Sequence, residues 1–257
     1  HYSLDDTAED SSGNGRHGVL SDSNKIQPAV DRFGNSDSAY EIQPRASIEV
    51  SPENSLRPHA NSGHVTYSMW LKPSGDGIVL NQYGHMDVGQ SHFFLAVGAD
   101  SLTLTGQGTD VYNPSLTSAM NEWHHYVIGY HGQTGDVNVW ADGIFVGSDN
   151  VDINPSSSSN QPFRIGFLPN AAANNDQTMI VDDVSVFNRS LSDDEVIELY
   201  TRSAVAITPE PNQHGTTTIT VTVEDGGLDN NLSTTGDNAT FSQTFDVTLD
   251  GVNATPT

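Results

Sequence analysis

The chain has 257 residues, 35% of them hydrophobic, enough for one large domain and something smaller. It contains no cysteine, which excludes disulfides and thiolate metal or redox chemistry, and no apolar run long enough to span a membrane as a helix. Nine Lys and Arg against 33 Asp and Glu leave a net charge of −24, which repels nucleic acid and anionic lipid surfaces. Two uses of that acidity are consistent with the composition. Asp and Asn in Gly-rich turns can hold Ca²⁺, and a highly charged surface stays solvated in a high-salt habitat.

The first segment reads Tyr2-Ser3-Leu4-Asp5-Asp6, then a tight turn, Asp10-Ser11-Ser12-Gly13-Asn14-Gly15, with oxygen donors on nearly every residue. Short strands bracketed by Gly, Pro, Asn or Asp are predicted at Ala46–Val50, Val65–Leu71, Ile78–Gln82, Phe93–Val97 and Leu102–Thr105. From Asn121 to Tyr200 the signal strengthens. Glu122-Trp123-His124-His125-Tyr126-Val127-Ile128 alternates with period two, turns at Gly132–Asp136 and returns through Val137–Gly147. The Asn154–Asn160 stretch, with four consecutive serines, lies between two strands and is predicted as a loop. Arg164–Phe167 and Val181–Asn188 give further strands, and one helix follows. Ser192 is placed to cap it, Glu195 completes a capping box, and Val196, Ile197, Leu199 and Tyr200 form its apolar face. Past Tyr200 the texture becomes Thr- and Val-rich, with about three strands and no second helix. Short strands with regular turn signals favour an all-β sandwich or barrel over a βαβ fold, and the single short helix at the end of the run points to a two-sheet antiparallel sandwich.

Five motifs occur in order: Tyr2–Asp5 with the Asp10–Gly15 turn; Val65–Pro73 (VTYSMWLKP); Glu122–His125; Val139–Gly143; and Val181–Val184 through Asn188–Ser192. Through them, residues 1–203 resemble the concanavalin A-like, laminin G-like jelly-roll domains of the bacterial branch. Residues 204–257 resemble the C-terminal half of a cadherin- or immunoglobulin-like extender repeat of giant bacterial RTX-type adhesins. That resemblance rests on Ile207-Thr208-Pro209, Thr218–Val223, Asp225-Gly226-Gly227 and Val252–Thr257. Together they imply a jelly roll inserted into an extender repeat, the repeat's first half lying upstream of His1. They also imply an extracellular or cell-surface location, with neighbouring extender domains of the same chain as partners.

The pair of carboxylates a glycosidase needs, carried on a Glu-x-Asp-x-x-Glu strand, is absent from the sequence, so no enzyme is expected. Adjacent strand residues point to opposite faces, so His124 and His125 cannot share one metal ion. Trp70, Trp123 and Trp140 alternate with apolar neighbours and are expected in the core. Calcium is the expected cofactor, because the Asp10 turn clusters oxygen ligands. In related jelly rolls an ion ties that turn to the Asp-Asp strand, which implies Asp5, Asp10, Asn14 and Asp183 as ligands. A recognition site is expected on rim loops that mix carboxylate, amide and aromatic groups: Tyr83 and Asp87; Asp110, Tyr112 and Asn113; Asn174, Asn175 and Asp176. The expected ligand is a glycan or a cell-surface protein. The alternatives are a spacer without a specific ligand and an accessory carbohydrate-binding domain of a secreted polysaccharide-degrading enzyme.

Overall fold

The computed structural model describes residues 1–51, 63–83, 92–98, 101–105, 111–112, 120–131, 134–150, 162–166, 177–201, 215–224 and 239–249. The chain divides into two compact units, His1–Ala204 and Val205–Thr257.

The first unit is a sandwich of two seven-stranded antiparallel sheets. One sheet contains β1 (Gly18–Leu20), β4 (Ser47–Val50), β6 (Gly77–Tyr83), β7 (His92–Gly98), β8 (Ser101–Thr105), β9 (Val111–Tyr112) and β13 (Phe163–Gly166), in the order β1-β4-β13-β6-β7-β8-β9. The other contains β2 (Ile26–Ala29), β3 (Ala39–Ile42), β5 (His64–Pro73), β10 (His124–His131), β11 (Asp136–Ala141), β12 (Ile144–Asn150) and β14 (Met179–Phe187), in the order β12-β11-β10-β5-β14-β3-β2. In both sheets strands distant in sequence pair, β4 with β13 and β13 with β6 in one, β10 with β5, β5 with β14 and β14 with β3 in the other, so the strands wind as a jelly roll and not as a simple meander.

Period-two alternation builds the core. Val65, Tyr67, Met69 and Leu71 of β5 point inward with Tyr126, Ile128 and Tyr130 of β10, against Ile48, Phe163, Ile165, Leu80 and Leu95 of the opposite sheet. Tyr67 and Phe163 stack across the interface with ring centroids 5.9 Å apart. The strands β1, β2 and β3 were not legible in the sequence: each is three or four residues long, and β1 and β2 lie at sheet edges with most of their residues outside the core.

The helix, α1 (Asp193–Thr201), starts where the capping box places it. Ser192 N donates to Glu195 Oε2 at 2.9 Å and Glu195 N donates to Ser192 Oγ at 3.3 Å. The helix packs on the outer face of the second sheet, where Val196 and Leu191 bury Val127 and Trp140 in a separate small cluster. Trp140 is therefore buried beneath the helix and outside the sandwich interior, its indole Nε1 donating to Asp193 Oδ1 at 2.8 Å.

The second unit contains one described hairpin, β15 (Gly215–Glu224) paired with β16 (Thr240–Leu249) over its full length. Its faces differ. Hydroxyl pairs Thr216–Thr248 and Thr222–Ser242 line one side with Thr218–Asp246, while Ile219, Phe245, Val247 and Phe241 share the other.

Candidate functional site

Among the described residues, the outer face of the second sheet carries a polar cluster. Residues alternating with the inward set of β5 place Thr66, Ser68 and Trp70 there, and β10 adds His125 and Val127. The Asp142-Gly143 turn between β11 and β12 has both residues at positive φ, the type I′ geometry that Asp-Gly favours. Asp142 then clamps β10: its Oδ1 accepts from His125 N and its Oδ2 meets His124 Nδ1, both at 2.8 Å. The two histidines face opposite sides of the sheet, as strand geometry requires. Gly143 also admits Tyr200, because a Cβ there would lie 3.1 Å from the tyrosine ring.

A register break between Asp182 and Ser185 interrupts β14, with Asp183 at φ 47°. This bulge presents two adjacent carboxylates to one cation, Arg32. Arg32 sits on the loop between β2 and β3. Asp31 makes that loop rigid by accepting from Phe33 N, Asn35 N and Asn35 Nδ2, each at 2.8 Å. From there Arg32 ion-pairs with Asp182 and, at 2.7 Å, with Asp183 Oδ2. Its guanidinium also lies 4.5 Å over the Trp70 ring, a cation–π contact that immobilises the indole. Burial, with the Asp183 charge, pushes the Asp182 carboxyl up to about 7 against the pull of Arg32. Desolvation drives His125 the other way, down to about 4, so it is neutral at physiological pH.

Beside the helix these residues enclose a trough of about 360 Å³. Ser68, Trp70, His125 and Ser185 line it, together with His1, Asp183, Phe187 and Leu199. Ser68 Oγ bonds His125 Nε2 at 2.9 Å, and Ser185 Oγ bonds His1 Nδ1 at 2.7 Å.

The four expected metal ligands fall into different environments. Asp10 is buried at the base of the N-terminal turn and is fully used by it. Its Oδ1 accepts from Ser12 N and Ser12 Oγ and lies 3.2 Å from the His1 backbone nitrogen, while its Oδ2 accepts from Arg16 N. Desolvation opposes its ionisation, yet the bonds from Ser12 and Arg16 prevail and hold the carboxyl well below the usual range. Asn14 shares with Asp10 a small cavity of about 60 Å³. Asp183 lines the larger trough and is committed to Arg32, and Asp5 is exposed. His1 is the link, its backbone on Asp10 and its Nε2 3.6 Å from Asp183 Oδ1. The turn and the Asp-Asp strand thus meet through a hydrogen-bonded and ion-paired network. Among the described residues, no group of three or more His, Asp or Glu is placed to hold a metal ion.

Of the rim-loop residues, Asp87, Asp110, Asn113, Asn174, Asn175 and Asp176 lie outside the described residues. Tyr83 ends β6 and Tyr112 ends β9, their side chains also outside the described part. Sequence reasoning missed Arg32, Ser68 and Ser185. Arg32 left one usable signal: a basic residue inside Asp31-Arg32-Phe33-Gly34-Asn35, a turn motif, in a chain with nine basic residues.

No curated protein matches this chain significantly. Among solved structures, domain 4 of AbnA, an extracellular GH43 arabinanase from Geobacillus stearothermophilus solved with arabinotriose, superposes with a TM-score of 0.60 at 16% identity, covering 77% of this chain and 96% of that one. Botulinum neurotoxin type C, which depends upon interaction with two ganglioside molecules to enter cells, gives 0.55 at 14% identity, covering 77% of this chain and 49% of that one. The binding domain of Paraclostridial Mosquitocidal Protein 1 gives 0.54 at 16% identity, covering 77% and 50%. These likenesses establish a shared jelly-roll fold. The model of the concanavalin A-like lectin/glucanase superfamily, in its laminin G-like form, matches residues 45–197. With more than half of its length matched, and with the two-sheet sandwich to go with it, the chain belongs to the concanavalin A-like lectin/glucanase superfamily.

Proposed function

We propose that this chain is a non-catalytic, calcium-dependent module that binds glycan on behalf of a secreted or cell-surface bacterial adhesin. The observation that carries the reading is the jelly roll itself, whose fold is shared with an arabinotriose-bound domain and a ganglioside-dependent toxin. Recognition belongs on the rim loops, where Tyr83, Asp87, Asp110, Tyr112, Asn113 and Asn174–Asp176 combine oxygen ligands for Ca²⁺ with aromatic surface for sugar. The adjacent carboxylates Asp182 and Asp183 are both spent on Arg32, which supports a binding role over hydrolysis. The hairpin of the second unit supports an extender role. A two-stranded ladder is marginal alone, and its exposed Phe241 and Phe245 are what a second sheet of an immunoglobulin-like domain would cover.

Glycan-array binding in millimolar calcium, repeated in EDTA, tests the reading. The expected result is a saccharide-specific signal that EDTA abolishes and that Asp110→Ala weakens, with Asp10→Ala affecting only stability. No binding to any glycan or cell-surface protein, with EDTA merely lowering Tm, would establish a spacer instead. The near-complete coverage of the AbnA domain favours one second reading, an accessory carbohydrate-binding domain of a polysaccharide-degrading enzyme. That reading expects arabino-oligosaccharides to dominate the array.

A further inference from the structure

The N-terminal turn contains the one Asn-Gly step of the chain, Asn14-Gly15. An asparagine carboxamide carbon lies within ring-closing reach of the backbone nitrogen of the following residue. A side chain on that residue normally hinders the approach, and glycine has none. The fold leaves this step open. Asn14 and Gly15 are both exposed, and Gly13 and Gly15 sit at φ 81° and 68° with nothing within 4 Å of a built Cβ at either. Among the described residues no hydrogen bond engages the Gly15 amide, so its proton is accessible to base. The carboxamide is held by a bond from Nδ2 to Ser12 Oγ at 2.8 Å, which leaves its carbon unshielded.

We propose that Asn14 is a site of spontaneous covalent modification, and that its conversion unlatches the N-terminal segment from β14. The deprotonated Gly15 nitrogen attacks Asn14 Cγ and forms a cyclic imide. The Cγ–Nδ2 bond breaks, and Nδ2 leaves as ammonia with the proton that Gly15 gave up. Water then opens the imide. Cleavage of the new N–Cγ bond gives aspartate, and cleavage of the original peptide bond gives isoaspartate, whose chain runs through Cβ and Cγ. The balance is one water in and one ammonia out, with no change of oxidation state.

Both products act on Arg16, two residues downstream. Its backbone nitrogen donates to Asp10 Oδ2 at 3.0 Å, and its carbonyl oxygen accepts from the Tyr2 hydroxyl at 2.8 Å. Tyr2 is 1% exposed and bridges to Val184 of β14 by backbone bonds of 2.8 and 2.9 Å. Isoaspartate inserts one backbone atom between Asp10 and Arg16, so Arg16 can no longer meet Asp10 and Tyr2 together. Aspartate removes the donor to Ser12 and adds a second carboxylate to the small cavity that Asn14 shares with Asp10. Either change loosens the turn that holds Tyr2 on β14.

The test is ageing of the whole 257-residue chain at mildly alkaline pH, followed by trypsin digestion and mass spectrometry. Trypsin releases residues 1–16 as one peptide, in which Asn14 is the only side-chain amide. The same peptide, excised first and aged alongside, is the reference. Asn14 of the folded chain should convert from amide to acid at a rate within about tenfold of the peptide's. The rate should rise with pH, and an isoaspartate-specific methyltransferase should label the product. Hydrogen exchange at the Tyr2 and Val184 amides should accelerate in step with the conversion while β5 and β10 keep their protection. Asn14→Gln, whose imide needs a larger and slower-closing ring, should age without either change. The proposal is overturned if the folded chain converts more than about tenfold more slowly than the peptide. It is equally overturned if Tyr2 and Val184 exchange as before once conversion is complete. Neither outcome bears on the glycan-array result, so the two readings are separable.

Discussion

The Arg32 guanidinium closes on the Asp182 carboxylate across 150 residues of sequence, both side chains nearly sealed from solvent at 6% and 5% exposure. This contact fastens the β2–β3 loop to the bulge in β14 and sets the position of Trp70 beneath the guanidinium. A buried pair is not in itself a large source of stability, because desolvation offsets most of the attraction. Breaking it by removing one partner is costly, because the other charge stays buried.

Arg32→Gln should therefore destabilise the first unit by about 3–5 kcal/mol at neutral pH in urea unfolding. Asp182→Asn placed on top of Arg32→Gln should recover part of that loss, since it removes the stranded charge. The penalty of Arg32→Gln should shrink as pH falls through about 7, where folded Asp182 takes up a proton and the charge that Arg32 compensates is lost. A loss below about 1 kcal/mol at neutral pH would mean the pair is surface-like in its energetics.

His125 gives a pH dependence of defined sign. Desolvation lowers its folded pKa to about 4, whereas an unfolded histidine titrates near 6.5. Between those values the unfolded chain takes a proton that the folded one refuses, so stability falls as pH drops through this window. The contribution reaches roughly 3 kcal/mol at its acid end. Asp182 acts oppositely in an overlapping range: its folded pKa is raised to about 7, so the folded state holds the extra proton and gains as pH falls. The two slopes partly cancel in the native chain. His125→Gln removes one of them, so the difference in Tm between native and variant should change steadily from pH 7 to pH 4.5. A pH-independent difference would show that His125 is not held neutral.

Two glycines separate steric from conformational cost. Gly166 ends β13 at φ 107°, and a Cβ there would sit 2.7 Å from the Ala46 carbonyl oxygen. Gly34 is also left-handed, at φ 89°, but has nothing within 4 Å of a built Cβ. Gly34→Ala should cost only the left-handed preference, about 1–2 kcal/mol, and Gly166→Ala should cost about 1–3 kcal/mol more from the backbone clash. Chemical denaturation of the two variants side by side checks the ranking, and equal losses would refute the close approach at Gly166.

What the sequence made legible was what depends on near neighbours. The alternation of β5 and β10 needs only period two, and the helix start needs only Ser192 and Glu195, three residues apart. Both were readable and both are present. The trough was not, because it is assembled from β5, β10, β14 and α1 at long sequence separations. Trp70 and Trp140 illustrate the difference. Alternation with apolar residues suggested the interior for both, yet each occupies the outer face, where α1 buries Trp140 and Arg32 covers Trp70. A sheet face that a helix later covers has the same local pattern as a core face, and only tertiary structure distinguishes them. Asp183 was singled out for its carboxylate, but its pairing with Arg32, some 150 positions away, could not be read from the sequence.

The capping box of α1 yields the last prediction, because the helix is both a lid on Trp140 and a wall of the trough. Ser192 Oγ accepts from Glu195 N, Glu195 returns to Ser192 N, and Arg189 holds the Glu195 carboxylate at 2.7 Å. Those interactions depress the Glu195 carboxyl to about 2, the Arg189 bond contributing most. Ser192→Ala leaves the Glu195 amide without its cap and should cost about 1 kcal/mol. The loss should be local, since α1 packs on the outer face and its cluster of Val127, Trp140, Leu191 and Val196 is separate from the sandwich core. Hydrogen exchange across residues 193–201 should therefore accelerate in the variant while β5 and β10 keep their protection. Equal acceleration in helix and sheet would show instead that α1 unfolds only with the whole sandwich. In that case the trough wall could not open without global unfolding.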